Sequence, residues 1–142
     1  MPIAQGEIKK AKTKSKEPFK LENLKVFVVD DEEDILRALK RFLAIHNISV
    51  LTAKNGKGAI RLLKQKEFDV ILSDIKMPEI NGLELGTWLE TRKPGDIEKF
   101  VLFTGVIDQE TDDYCSKHHC KYLLKPVDND TILETICSVA RN

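Results

Sequence analysis

From Leu24 onward the apolar residues follow two alternating patterns. Short runs rich in β-branched and aromatic residues read as strands at Lys25 to Val29, Ile48 to Ala53, Phe68 to Ser73, Phe100 to Thr104 and Lys121 to Leu124. After each run the apolar spacing becomes helical, over about Glu33 to His46, Gly58 to Lys66, Gly82 to Arg92, Gln109 to Lys117 and Asn129 to Val139. In the first helix Ile35, Leu39, Phe42 and Leu43 share one face, while Arg37, Lys40 and Arg41 fall on the other. Breakers stand where helices should stop: Asn47, Pro94-Gly95, and His118 in a place where Gly or Asn is commoner. In the third helix Trp88 falls on the core-facing side.

Five strands alternating with five helices require parallel pairing, because each parallel connection needs a helical crossover. The class is therefore α/β, a doubly wound sheet. The five-strand order 2-1-3-4-5 places its topological switch between strands 1 and 3, and ligands of such sheets bind outside the carboxyl ends at that switch. Polar residues gather at those ends. Asp30-Asp31-Glu32 follows the first strand, Asp74 stands just past the third, Thr104 closes the fourth, and Lys125-Pro126 follows the fifth. Three or more carboxylates at one crevice call for a cation. Neither a G-x-G-x-x-G nor a Walker loop follows strand 1, which argues against a nucleotide cofactor.

Composition narrows the class further. A chain of 142 residues with 42% hydrophobic content supports one sizeable core, assigned to residues 24–142. Residues 1–23 hold six Lys and three Glu and read as a flexible basic linker, a weak footprint for nucleic acid. The remainder carries 17 basic and 20 acidic residues. No apolar stretch approaches the ~18 residues of a membrane span, and the chain reads as cytoplasmic. Cys115, Cys120 and Cys137 are odd in number and suit a reducing compartment rather than a disulfide framework. The segment Cys115 to Cys120 has metal-like composition, but its candidate ligands Cys115, His118, His119 and Cys120 straddle a helix end and a strand start, so they read as core or turn residues.

The acidic pair Asp30-Asp31, the segment Asp74-x-x-Met77-Pro78-x-x-x-Gly82, Thr104-Gly105 and Lys125-Pro126 occur in order, each at a strand end. Together they resemble the receiver (response-regulator) domain of two-component signalling, over about residues 24 to 141. The resemblance implies a flavodoxin-like (βα)5 fold. It implies that Asp74 takes a phosphoryl group from a phosphohistidine on a histidine kinase or histidine phosphotransfer domain. It further implies Mg²⁺ bound by Asp31, Asp74 and the backbone carbonyl of Lys76, with Asp30 holding metal-bound water. Lys125 would pair with Asp74 at rest and with a phosphate oxygen after transfer, and Thr104 would donate to another oxygen. Tyr122 matches the family's switch aromatic. Output, and homodimerisation, would use the face of the fourth helix, fifth strand and fifth helix. The Lys125-Pro126 bond is expected to be cis by the same resemblance. The chain departs from the family before strand 5, where His118-His119-Cys120 replaces small residues.

Three readings compete with this one in detail. Asp30 or Asp31 could instead cap the following helix. A Mg²⁺-dependent aspartyl-phosphate phosphohydrolase would need a second Asp two residues after the nucleophile, where Lys76 stands. A phosphorylation-independent interaction module is disfavoured because every reactive position is filled. The opening Pro2-Ile3-Ala4 and the linker resemble the end of a histidine-kinase catalytic domain, so the chain is expected to be either the C-terminal receiver of a hybrid histidine kinase or a single-domain regulator without a DNA-binding output.

Overall fold

The structure, a computed structural model, describes residues 23–141, and the linker expected over 1–23 lies outside the described residues except for Asn23. Elements follow in the order β1 (Lys25–Val29), α1 (Glu33–Ile45), β2 (Ser49–Ala53), α2 (Gly56–Gln65), β3 (Val70–Asp74) and α3 (Gly82–Arg92). A short 3-10 helix (Pro94–Lys99), β4 (Phe100–Thr104), α4 (Gln109–His118), β5 (Lys121–Leu124) and α5 (Asn129–Arg141) complete the chain. The strands form one parallel sheet in the order β2-β1-β3-β4-β5.

Strand side chains alternate between two apolar layers, as a period of two demands. Phe27, Val29, Ile71, Phe100 and Leu102 pack with Ala59 and Leu63 of α2, Leu85 and Leu89 of α3, and Cys115 of α4. Val26, Val28, Val70, Leu72, Val101 and Phe103 pack with Leu36, Leu39 and Leu43 of α1 and Ile132, Ile136 and Val139 of α5. Both faces of the central strands are thus dry, which is why they read as nearly continuous apolar runs. At about 1.5 to 3 kcal/mol for each fully buried large side chain, these layers fix the register.

Differences from the sequence reading are local. Strand β3 starts at Val70 and ends on Asp74, so that carboxylate belongs to the last strand residue rather than the one beyond it. Phe68 precedes the strand yet is buried, stacked on Phe27 with ring centroids 4.7 Å apart. Helix α2 starts at Gly56, two residues early, because Asn55 caps it: its side chain accepts from the Gly58 N–H at 2.8 Å. The break at Pro94-Gly95 opens the 3-10 helix. Helix α4 continues through His118, and His119 takes the left-handed conformation (φ 58°) expected one residue earlier. Trp88 packs partly buried against the first layer, and the Lys125-Pro126 bond is cis.

Candidate functional site

Parallel strands end together at one sheet edge, and the register brings β1 and β3 side by side, with Val29 opposite Ser73. Their next residues are Asp30 and Asp74. Carboxylate oxygens of Asp30, Asp31 and Asp74 lie within 4.8 Å of one another, and among the described residues this is the one His/Cys/Asp/Glu group so assembled. Asp30 is 1% exposed and Asp74 8%, while Asp31 faces solvent.

Each buried carboxylate has defined partners. Asp30 accepts from the Glu32 N–H at 2.9 Å through one oxygen and from Lys125 Nζ at 3.0 Å through the other. Asp74 accepts from the Ile75 N–H at 2.8 Å, and the same oxygen lies 3.5 Å from Lys125 Nζ. Lys125 therefore bridges the two acids and sits closer to Asp30 than to Asp74, the partner expected from the resemblance. Glu32 is the residue preceding α1, and its side chain makes no capping bond. The capping reading of Asp30 and Asp31 is thereby replaced: Asp30 holds the β1–α1 turn and the Lys125 ammonium instead.

The electrostatics follow from burial. Loss of water raises the Asp74 pKa, partly offset by the Lys125 charge and reinforced by Asp30. For Lys125, burial pulls the pKa down, but the hydrogen bond and charge of Asp30 together with the charge of Asp74 outweigh it, and the net shift is upward. The ammonium stays charged where the carboxylates need it.

Lys76 is exposed two residues past Asp74. Thr104 is 2% exposed, and its hydroxyl donates to the Val106 carbonyl oxygen at 2.7 Å and accepts from the Val106 N–H at 3.2 Å. Its backbone carbonyl accepts from the Lys125 N–H at 2.7 Å, joining the ends of β4 and β5. Tyr122 lies on edge strand β5, 36% exposed. In the segment Cys115 to Cys120, His118 Nδ1 lies 2.6 Å from Glu90, and the buried Cys115 and Cys120 thiols contact each other at 3.4 Å. Burial, with the Cys115 contact, pushes the Cys120 thiol up to about 12.

Two contributors escape sequence reasoning. The Ile75 N–H, a backbone group, orients the Asp74 carboxylate. Gly82 belongs to the motif, but its purpose shows only in space: a Cβ there would stand 2.4 Å from the Asp74 carbonyl oxygen and 2.8 Å from the Ile75 Cα. The α3 backbone thus presses directly on the strand end that carries the acid.

Residues 26–137 match the family model described as the response regulator receiver domain. The chain belongs to this receiver family. Among curated relatives, the receiver is 36% identical to protein PilH of Pseudomonas aeruginosa over 117 residues, covering 81% of this chain and 96% of PilH. It is 31% identical to an uncharacterized response regulatory protein of Yersinia pestis, covering 84% of this chain and 49% of that protein. Several further relatives are likewise about half spanned or less. Among solved structures, the receiver resembles a CheY-like receiver domain protein of Methanospirillum hungatei, with TM-score 0.78 and 26% identity over 83% of this chain and 94% of that one. It resembles chemotaxis protein CheY4 of Vibrio cholerae with TM-score 0.75 and 26% identity over 82% and 98%.

Proposed function

We propose that this receiver accepts a phosphoryl group on Asp74 from the phosphohistidine of a histidine kinase or histidine phosphotransfer protein, in a Mg²⁺-dependent reaction. The observation that carries the reading is the convergence of Asp30, Asp31 and Asp74 with Lys125 at the carboxyl ends of β1 and β3. An Asp74 oxygen attacks phosphorus, the phosphorus–nitrogen bond to the donor histidine breaks, and its electron pair stays on the imidazole. Such transfers involve charge spread over the equatorial oxygens, so positioning and neutralisation supply most of the catalysis. The Ile75 N–H holds the Asp74 carboxylate in one orientation, and Lys125 is within a small movement of either acid.

The donor set suits a hard cation, since all three side chains offer oxygen only. Asp30 already spends one oxygen on Glu32 and the other on Lys125, which supports a role through water, leaving Asp31, Asp74 and the Lys76 carbonyl as direct ligands. Mg²⁺ held there would neutralise charge on the transferring oxygens.

Signalling then runs through Thr104 and Tyr122. A phosphoryl group adds charged acceptors near the end of β4, and the Thr104 hydroxyl would leave the Val106 carbonyl oxygen to donate to one of them. That movement reshapes the β4–α4 loop and frees space for Tyr122. Val106, Tyr122 and Leu124 are exposed apolar side chains on this side, and the α4, β5 and α5 face is the output surface and the site of any homodimer. Among the described residues no helix is long and apolar enough to cross a membrane. A phosphorylated histidine phosphotransfer protein carrying radiolabel tests the transfer: label should move to wild type in the presence of Mg²⁺ and not to Asp74→Asn. Equal labelling of both would refute Asp74 as acceptor.

A further inference from the structure

Helices α1 and α2 flank a groove of about 730 Å³ beside the end of β2, with Leu36, Ala53 and Leu62 among its lining. Arg37, Lys54, Lys57 and Arg61 also line it, against Glu33 as the single acid in the lining. Residues 24–142 as a whole are mildly acidic, at 17 basic against 20 acidic residues. The groove is therefore a local reversal of the domain's sign.

Its cations are available. Arg37 pairs with Glu33 and Asp34, and Lys57 with Glu79 at 3.5 Å, but all these side chains are more than half exposed, and such pairs are weak and readily exchanged. Lys54 and Arg61 have no ion pair among the described residues. The groove wall is also joined to the loop after Asp74, through the Lys57–Glu79 pair and through Gly56, whose missing Cβ would stand 2.5 Å from Ile80.

We propose that this groove docks an acidic, amphipathic segment of a partner protein, with apolar side chains on Leu36, Ala53 and Leu62 and carboxylates against Lys54 and Arg61. Charge complementarity selects an anionic occupant, and the apolar part of the lining selects one with an apolar face. A nucleic acid fits worse, because no aromatic side chain lines the groove to stack a base and the domain's overall charge opposes a polyanion. The docking claim does not depend on phosphorylation of Asp74.

The test uses a fluorescein-labelled helical peptide with Leu at i, i+3, i+4 and i+7 on one face and Glu on the other, followed by anisotropy and by amide NMR shifts. Saturable binding should shift Ala53, Gly58 and Leu62, weaken at least tenfold in the Lys54→Glu, Arg61→Glu double variant, and persist unchanged in Asp74→Asn. Should the double variant fail to fold, Lys54→Gln with Arg61→Gln serves, with a several-fold loss expected. Unchanged affinity in the folded double variant overturns the proposal, as do shifts confined to another face. Equal binding of the peptide with Lys in place of Glu, or tighter binding of a single-stranded oligonucleotide at these residues, overturns it as well.

Discussion

Replacing Gly82 by Ala adds one methyl group to a helix position that otherwise welcomes it. The backbone there does not need a positive φ, and Gly82 is the first residue of α3, where Ala fits helical backbone without penalty. Space decides otherwise. The new Cβ would stand 2.4 Å from the Asp74 carbonyl oxygen, where 3.4 Å begins ordinary contact, so roughly 1 Å must be found between α3 and β3. Every residue of β3 is buried, its middle three residues pair with strands on both sides and Asp74 pairs with Phe103 of β4, which leaves backbone displacement as the relief. Overpacking of this kind costs typically 1 to 3 kcal/mol, and the upper half of that range is expected because both parties are main chain. At several degrees per kcal/mol for a domain of this size, the midpoint should fall by about 8 °C or more. Gly95→Ala is the internal control, since a Cβ there meets nothing within 4 Å; it should melt within about 2 °C of wild type. Thermal melts followed by circular dichroism give both numbers. If Gly82→Ala melts with Gly95→Ala, the tight approach of α3 to the acid-bearing strand end is wrong.

Lys93 donates to the Leu63 carbonyl at 2.8 Å and lies 2.9 Å from Glu67 and 3.7 Å from Asp96, tying α2 to the 3-10 helix; Lys93→Met should cost about 1 to 3 kcal/mol, read from urea midpoints, and a change below the measurement error would remove that clasp. Asn81 and Glu84 form a reciprocal capping box at α3, with bonds of 2.8 and 2.9 Å, so Asn81→Ala should lose about 1 kcal/mol by the same assay, and no loss would contradict the cap. Burial raises the Asp74 pKa, so the folded state binds that proton more tightly than the unfolded chain, and the resulting penalty grows as pH rises from the unfolded pKa through the folded one. Asp74→Asn should accordingly melt higher than wild type at pH 7, with the gap closing below pH 4; a constant gap across that window would show that the charge is not its cause.

Much of the site was legible because each chemical residue ends an apolar run, and parallel strands necessarily finish at the same edge. Asp30, Asp74, Thr104 and Lys125 were placed by that rule together with the motif spacing. What the sequence could not show is geometry finer than the edge. Lys125 lies 3.0 Å from Asp30 and 3.5 Å from Asp74, a difference that strand-end positions alone do not set. Thr104 spends its hydroxyl on Val106, a bond that depends on how the loop turns. Helix α2 begins two residues before its apolar spacing does because the Asn55 side chain caps it, and α4 runs one residue further because His119, not His118, occupies the left-handed position. The 3-10 helix after Lys93 has six residues, too few to display a periodicity.

The central claim is that Asp74 is the phosphoacceptor, and intact-mass spectrometry after incubation with acetyl phosphate and Mg²⁺ tests it most directly. Wild type should gain one phosphoryl group that is labile to base and lost when a chelator replaces the metal during incubation, and borohydride trapping should mark the peptide containing Asp74. Asp74→Asn should gain none. A phosphoryl group of equal stoichiometry on Asp74→Asn, or a trapped residue elsewhere in the wild-type chain, would contradict the account.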